Sequence, residues 1–199
     1  MTETVITYPD HQEPTEFTRA LLGWKPWLEP LAAEDLTDRH RDGLVDPARA
    51  KSPYFMLLAR DPDILGARTR TDKDIFYNPE AGLPRAEREL AAAATSRLNG
   101  CIYCASVHAR FAAQFSKREA EVDRLLAEGH SADLGSRWNA VVAESIALTE
   151  LPLAFDAQSV ERLRAEGLDD LAIADVIHGA AFFNWANRLM LSLGVPEKA

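Results

Sequence analysis

Apolar residues recur at intervals of three and four along most of the chain, which is the spacing of helices with one buried face. From residue 50 onward, proline, asparagine and glycine separate these stretches and mark where helices begin and end. The pattern predicts helices over 54–59, 63–77, 84–98, 101–115, 117–128, 137–149, 170–193 and a segment from 156 or 159 to 167. No segment sustains the alternation of β-branched and polar residues that indicates a strand. We therefore predict an all-α fold.

The first 50 residues follow a different pattern. Residues 1–14 are polar and contain prolines, so we expect them to form a strap or to lack order. Residues 17–31 are apolar but are interrupted by two prolines, which predicts a broken helical arm that docks on another surface. Residues 32–50 are charged and are predicted to be a connection. The predicted organisation is an N-terminal arm with its connection, 1–50, and a helical domain, 51–199.

Composition narrows the function classes. The 199 residues carry a net charge of −9, and 47% of them are hydrophobic, as is ordinary for a globular protein. Without a basic stripe to meet phosphates, the chain is predicted to bind neither nucleic acid nor a membrane surface. The N-terminal residues lack the basic start and apolar run of a signal peptide, and no apolar segment reaches the length of a membrane span. We therefore expect a cytoplasmic protein.

Both cysteines of the chain stand in one short motif. Cys101 and Cys104 are three residues apart, and His108 follows four residues later. On a helix these positions share one face, which places two thiols and an imidazole side by side. A base beside a thiol, or a helix N-terminus, creates the reactive thiolate at neutral pH. The motif therefore favours a dithiol redox centre in which one thiol is oxidised and the other closes a disulfide.

Two other interpretations of the motif stay open at this stage. The same three side chains could bind zinc, although structural zinc sites prefer four ligands and the chain has no second pair of cysteines. The two cysteines could also be small buried hydrophobic residues without chemistry. No metal and no cofactor is predicted under the redox interpretation.

Two further side chains are candidates for the site. A carboxylate on the preceding helix could reach over the turn at residues 99–100 and orient His108, as the third member of a catalytic triad does. Glu89 and Glu87 are equal candidates for this role on pattern alone. Tyr103 lies between the cysteines and could line the substrate pocket or relay a proton, or it could be a core aromatic residue.

Together these positions resemble the active site of the AhpD-like, peroxidase-related branch of the carboxymuconolactone decarboxylase superfamily. The resemblance covers about residues 50–195, and twelve residues separate Glu89 from Cys101. The segments that carry it are Tyr54-Phe55-Met56-Leu57-Leu58-Ala59-Arg60-Asp61-Pro62, Arg88-Glu89-Leu90, Cys101-Ile102-Tyr103-Cys104 with His108, and Phe183-Asn184-Trp185-Ala186-Asn187-Arg188. The chain departs from the family at Tyr103, where the family has a histidine. Tyrosine has a pKa near 10 and does not replace that base at neutral pH.

The resemblance implies roles for these residues. Cys104 would attack the peroxide, Cys101 would be its more exposed partner that closes the disulfide and meets the reductant, and His108 with Glu89 would relay the proton. It further implies an AhpD-like helical bundle with the CxxC motif at the N-terminus of a core helix. Partners would be a small peroxide, a lipoyl or thioredoxin-like dithiol reductant, and further copies of the chain in a trimer or hexamer.

The leading functional hypothesis is therefore a thiol-dependent peroxidase of the alkylhydroperoxidase or peroxiredoxin type, acting on small alkyl hydroperoxides or hydrogen peroxide through Cys101 and Cys104. Two alternatives stay open: a non-redox lyase similar to a lactone decarboxylase, and an oligomer that senses redox state or binds a partner. The lyase chemistry does not call for two neighbouring thiols.

Overall fold

Helices make up most of residues 4–198, which are the residues that the computed structural model describes. Their bounds are α1 (Asp38–Leu44), α2 (Pro53–Leu58), α3 (Pro62–Tyr77), α4 (Arg85–Leu98), α5 (Ile102–Ser116), α6 (Glu119–Glu128), α7 (Ser136–Thr149), α8 (Ala157–Ala165) and α9 (Asp170–Leu193). The two strands are β1 (Leu22–Pro26) and β2 (Gly194–Lys198). The helical fold class is confirmed, and each helix predicted after residue 50 is present to within about two residues at its ends.

The N-terminal arm differs from its prediction. It is not a broken helix: β1 pairs antiparallel with β2, with Leu22 opposite Lys198 and Pro26 opposite Gly194. Proline removes a backbone donor and disfavours a helix interior, so an extended edge is the conformation this segment tolerates. Residues 32–50 also form more than a connection, because they contain α1.

Residues 4–14 lie as an extended strap along this two-stranded ribbon. The backbone N–H of Ile6 donates to the carbonyl of Trp27, and that of Lys198 donates to the carbonyl of Gln12. The part of the strap prediction that concerns residues 1–3 lies outside the described residues.

Helix α4 lies at the centre of the domain and packs against α5, α7 and α9. Its four consecutive alanines, 91–94, are at most 2% exposed, which shows that α4 is covered on several sides. Small side chains allow neighbouring helices to approach closely. Helix α5 runs back along α4 after a tight turn at Gly100, whose φ of 76° suits glycine. None of the described helices is long and apolar enough to cross a membrane.

The core outside the site provides a test of the packing. Leu125 of α6 is fully buried in the main hydrophobic cluster, whereas Leu171 of α9 is 52% exposed. Leu125→Ala is expected to lower the free energy of unfolding by about 2–5 kcal/mol, because it removes buried methyl groups and leaves a cavity. Leu171→Ala, the same change at the surface, should alter it by less than about 0.5 kcal/mol. Urea denaturation of both variants measures the difference, and equal values would contradict the described packing.

Candidate active site

The two cysteines lie where α5 begins. Cys101 is the residue that caps its N-terminus, and Cys104 stands in the first turn. The N–H of Cys101 donates to the carbonyl of Ser96 at 2.9 Å, which ties the motif to the end of α4. Both thiols are free and buried. The turn thus holds a reduced dithiol at the positive end of a helix dipole, which favours a thiolate.

Glu89, and not Glu87, reaches His108. Oε2 of Glu89 lies 2.6 Å from Nδ1 of His108, and the carboxylate is 1% exposed. Its other oxygen accepts from Nε of Arg85 at 2.9 Å. Glu87 points to a different helix and forms a two-pronged ion pair with Arg137. Of the two carboxylates that the sequence pattern allowed as the partner of His108, Glu89 is therefore the one in contact with it.

Aromatic rings hold the imidazole of His108 in place. Phe76 of α3 stacks on it with ring centroids 5.1 Å apart, and Phe183 of α9 packs edge-on at 4.1 Å. With Nδ1 engaged by Glu89, Nε2 is the nitrogen left to exchange a proton with a reacting group. A carboxylate that fixes the orientation of an imidazole one helical turn from a thiol is the arrangement of a nucleophile with its base.

The two cysteines line two different cavities. The larger has a volume of about 190 Å³ and is lined by Cys104, His108, Glu89 and Tyr103. The smaller has a volume of about 50 Å³ and is lined by Cys101 and Tyr103, with Trp24 of β1 and residues of β2 on its far side. A molecule in the larger cavity therefore meets Cys104 and its base together, and Tyr103 lines both spaces.

The expected exposure of Cys101 is wrong in this structure. Cys101 is 1% exposed and Cys104 is 6% exposed, so both cysteines are buried and Cys101 is not the more exposed of the two. The reason is the ribbon of β1 and β2, which the sequence pattern did not predict and which places Trp24 over the cysteine.

The two thiols influence each other's proton affinity. The Cys104 thiol donates a hydrogen bond to the Cys101 sulfur, which lowers the pKa of Cys101, with a further contribution from the side chain of Asn187. Hydrogen bonding to Cys101 and burial together raise the pKa of Cys104 well above its usual range. In the reduced pair, Cys104 therefore keeps its proton and needs a base before it can attack.

Asn187 belongs to a polar network behind the dithiol. Its Nδ2 donates to Oγ of Ser96 at 3.0 Å, and its Oδ1 accepts from Nδ2 of Asn99 at 3.1 Å. Asn99 also donates to Oδ1 of Asn184. These bonds satisfy the polar groups of the otherwise apolar helix α9 and link it to the turn that carries Cys101.

Several residues that line the larger cavity were not predicted as site residues, among them Arg68 of α3 and Tyr54 of α2. Burial raises the pKa of Tyr54 to about 12. Helical spacing places Arg68 on the face of α3 that carries Leu65 and Phe76, whereas Arg70 lies on the exposed face, so this signal could have found it.

The zinc interpretation gains no support from the geometry. Within residues 4–198, no group of three or more histidine, cysteine, aspartate or glutamate side chains is arranged to hold a metal ion.

The ribbon of β1 and β2 covers Cys101, and its effect on the access of a reagent to this cysteine can be tested. Trp24→Ala is expected to raise the rate of Cys101 alkylation by iodoacetamide about tenfold, because the indole that fills the far side of its cavity is removed. The matched control is Trp27→Ala, a change in the same arm at a residue outside either cavity. Peptide mass spectrometry locates the labelled cysteine. Equal rates in both variants would show that Trp24 does not limit access.

Comparisons with known proteins agree with the fold. Residues 62–145 match the model of the Carboxymuconolactone decarboxylase family. A comparison with curated proteins gives no match.

Solved structures with the same fold cover most of the chain. A peroxidase-related protein with an alkylhydroperoxidase AhpD core, from Ralstonia eutropha JMP134, is 24% identical with a TM-score of 0.69, over 80% of this chain and 85% of that one. A peroxidase-related protein from Silicibacter sp. TM1040 is 22% identical with a TM-score of 0.69, over 96% and 95%. The debrominase Bmp8 is 18% identical with a TM-score of 0.66, over 82% and 88%. At these identities the likeness establishes the fold.

Proposed function

We propose that this chain is a thiol-dependent peroxidase of the AhpD-like carboxymuconolactone decarboxylase superfamily, which reduces small hydroperoxides with its dithiol; the family match over residues 62–145 supports the assignment. One observation carries the proposal: Cys104, His108 and Glu89 line a single cavity, and the imidazole is held by the carboxylate at 2.6 Å. Peroxide reduction by a thiol needs a nucleophilic sulfur, a base to form the thiolate and an acid to protonate the leaving oxygen. These three groups supply each requirement.

In the first step, Nε2 of His108 takes the proton of Cys104, and Glu89 stabilises the resulting imidazolium. The thiolate attacks the terminal oxygen of the hydroperoxide, so that an S–O bond forms while the O–O bond breaks. The alkoxide leaves and receives the proton from His108, which gives an alcohol. Cys104 is then a sulfenic acid, oxidised by two electrons, and the peroxide has been reduced by the same two electrons.

In the second step, Cys101 attacks the sulfenic acid. A disulfide forms between Cys101 and Cys104, and the oxygen leaves as water. The lowered pKa of Cys101 favours its thiolate, which is the form that attacks. A dithiol donor, lipoyl or thioredoxin-like, would reduce this disulfide to the two thiols and would itself be oxidised to a disulfide. Since Trp24 and β2 line the cavity at Cys101, we expect this donor to reach that sulfur when β1 and β2 move aside.

A free-thiol count tests the proposal directly. Reduced protein is titrated with a thiol reagent under denaturing conditions, before and after one equivalent of cumene hydroperoxide. We expect both thiols to disappear, to return after dithiothreitol, and to cycle repeatedly when a dithiol regenerates them. Two thiols that still titrate after exposure to the peroxide would contradict the proposal and favour the lyase alternative.

The same experiment distinguishes an enzyme from a sensor. A disulfide that forms once, with no turnover when the dithiol is supplied, would favour the redox-sensing alternative. The fold also occurs in a debrominase, so release of bromide from a brominated aromatic compound by the reduced protein is the matching control reaction. The proposed assembly of copies into a trimer or hexamer is tested separately, by sedimentation velocity.

A further inference from the structure

The larger cavity contains a buried cation that the peroxidase chemistry does not use. Arg68 is 7% exposed, and its Nε and Nη1 atoms are buried without a hydrogen-bond partner among residues 4–198. The nearest carboxylate oxygen, Oδ2 of Asp72, is 3.9 Å from Nη1 and is also engaged by Arg49 at 3.3 Å. Buried polar groups are normally paired, so an unpaired guanidinium in a cavity wall indicates a missing partner.

Aromatic rings surround this guanidinium but do not replace the partner. Its central carbon lies 5.2 Å from the ring of Phe182 and 5.7 Å from the ring of Tyr54. These rings attract the positive charge, whereas they cannot accept the directed hydrogen bonds that a guanidinium offers. A planar anion with two oxygens fits a guanidinium best.

Tyr54 adds a second unpaired group to the same wall. Its hydroxyl is buried beside the guanidinium of Arg68, and its proton has no acceptor in the described part of the chain. Its pKa is raised to about 12 by burial, so it keeps its proton and remains a donor at neutral pH. Arg68 and Tyr54 thus offer N–H and O–H donors to a ligand in the cavity, and the hydroxyl oxygen of Tyr54 is the one acceptor between them.

The charges around the cavity favour one negative charge on the ligand. Arg85 is paired with Glu89, and Arg49 with Asp72. Arg68 is the cation left without a close carboxylate of its own among these groups. A single excess positive charge in an apolar wall matches a monoanion better than a phosphate with two charges.

We propose that Arg68 and Tyr54 form a carboxylate-binding subsite, and that the substrate is a small organic hydroperoxide that carries a carboxylate. This inference rests on the proposed function for the hydroperoxide group and on Arg68 and Tyr54 for the carboxylate. The carboxylate would be held at this wall while the hydroperoxide meets Cys104 and His108, which line the same cavity. A volume of about 190 Å³ is below the 300–1,000 Å³ of drug-sized sites, so the carbon skeleton is small.

Binding is tested without peroxide chemistry. Isothermal titration calorimetry on the reduced full chain compares benzoate with benzamide, which has the same shape and no charge. We expect benzoate to bind about tenfold more tightly or better, since a hydrogen bond to a charged group is worth at least that factor. Equal affinities would overturn the inference, and this comparison needs no variant.

Variants then locate the subsite. Arg68→Met is expected to remove the preference for benzoate, and Arg68→Lys, which keeps the charge without the planar fork, to reduce it in part. The matched control is Arg70→Met, which removes an exposed arginine of the same helix that does not line this cavity. A preference that survives in Arg68→Met with a native circular dichroism spectrum would overturn the assignment.

Turnover separates this inference from the proposed function. A cumene hydroperoxide with a para carboxylate is compared with its methyl ester. The ratio of kcat/KM for acid over ester should fall about tenfold in Arg68→Met and keep the wild-type value in Arg70→Met. An unchanged ratio in Arg68→Met would overturn the subsite while the peroxidase stands. If neither peroxide is reduced but benzoate still binds at Arg68, the peroxidase proposal fails and the subsite stands.

Discussion

Cys104→Ser is expected to abolish peroxide reduction, with a loss of at least about 1,000-fold in the rate of peroxide consumption. Cys104 is the cysteine that lines the larger cavity together with His108, so its sulfur is the one placed to attack. A serine hydroxyl cannot take its place because it is a far weaker nucleophile and does not form a stable oxidised state. Single-turnover consumption of cumene hydroperoxide, followed by a peroxide-sensitive dye, measures the effect.

Cys101→Ser is the matched control, because it makes the same change at the other sulfur. We expect this variant to consume one equivalent of peroxide and then stop, with Cys104 held as a sulfenic acid that dimedone traps. Sustained multi-turnover activity in either variant would falsify the assignment of the two roles. Activity that is lost in Cys101→Ser at the first turnover and kept in Cys104→Ser would reverse them.

Glu89→Gln is expected to lower kcat/KM for peroxide about 100-fold or more, as the loss of assistance to an acid–base group typically does. The neutral amide cannot stabilise the imidazolium that forms when His108 takes the Cys104 proton, and it leaves Arg85 without its carboxylate. His108→Ala should cause a loss at least as large. Stopped-flow measurement of the oxidation step isolates this effect from re-reduction.

Glu87→Gln is the control for a buried carboxylate on the same helix. Glu87 is paired with Arg137 at the α7 side of α4, so its replacement should lower stability and leave the oxidation rate near that of the wild type. Equal losses of rate at positions 87 and 89 would mean that Glu89 acts through folding and not through His108. Thermal unfolding of both variants measures how much stability each has lost, so that an effect on folding can be separated from an effect on the oxidation rate.

The sequence predicts much of this architecture because its signals are local. The helices after residue 50 follow from apolar spacing and from the prolines and glycines between them. The dithiol follows from two cysteines three residues apart, and the family resemblance selects Glu89 by its distance of twelve residues from Cys101. The structure reaches the same carboxylate by an independent route, through its contact with Nδ1 of His108.

The features that the sequence did not reveal depend on contacts between distant segments. β1 contains a glycine, ends at a proline and lacks β-branched residues, so its sequence does not indicate a strand, and its pairing is set by β2, which follows α9. Arg68 shares the buried face of α3 with Leu65 and Phe76, so spacing alone predicts that it points inward, but the cavity that it lines depends on how α3 packs against α2 and α9. The low exposure of Cys101 follows from this pairing of β1 with β2, so the sequence pattern could not predict it either.

The pairing of β1 with β2 also has a consequence for the order in which the protein is made. A contact between segments this far apart closes a very long loop, and such contacts form later than the local packing of neighbouring helices. β2 follows every other described element along the chain, so we expect the α4–α5 hairpin to form before the ribbon that covers it. Until β1 and β2 have paired, Cys101 would lack the cover of Trp24.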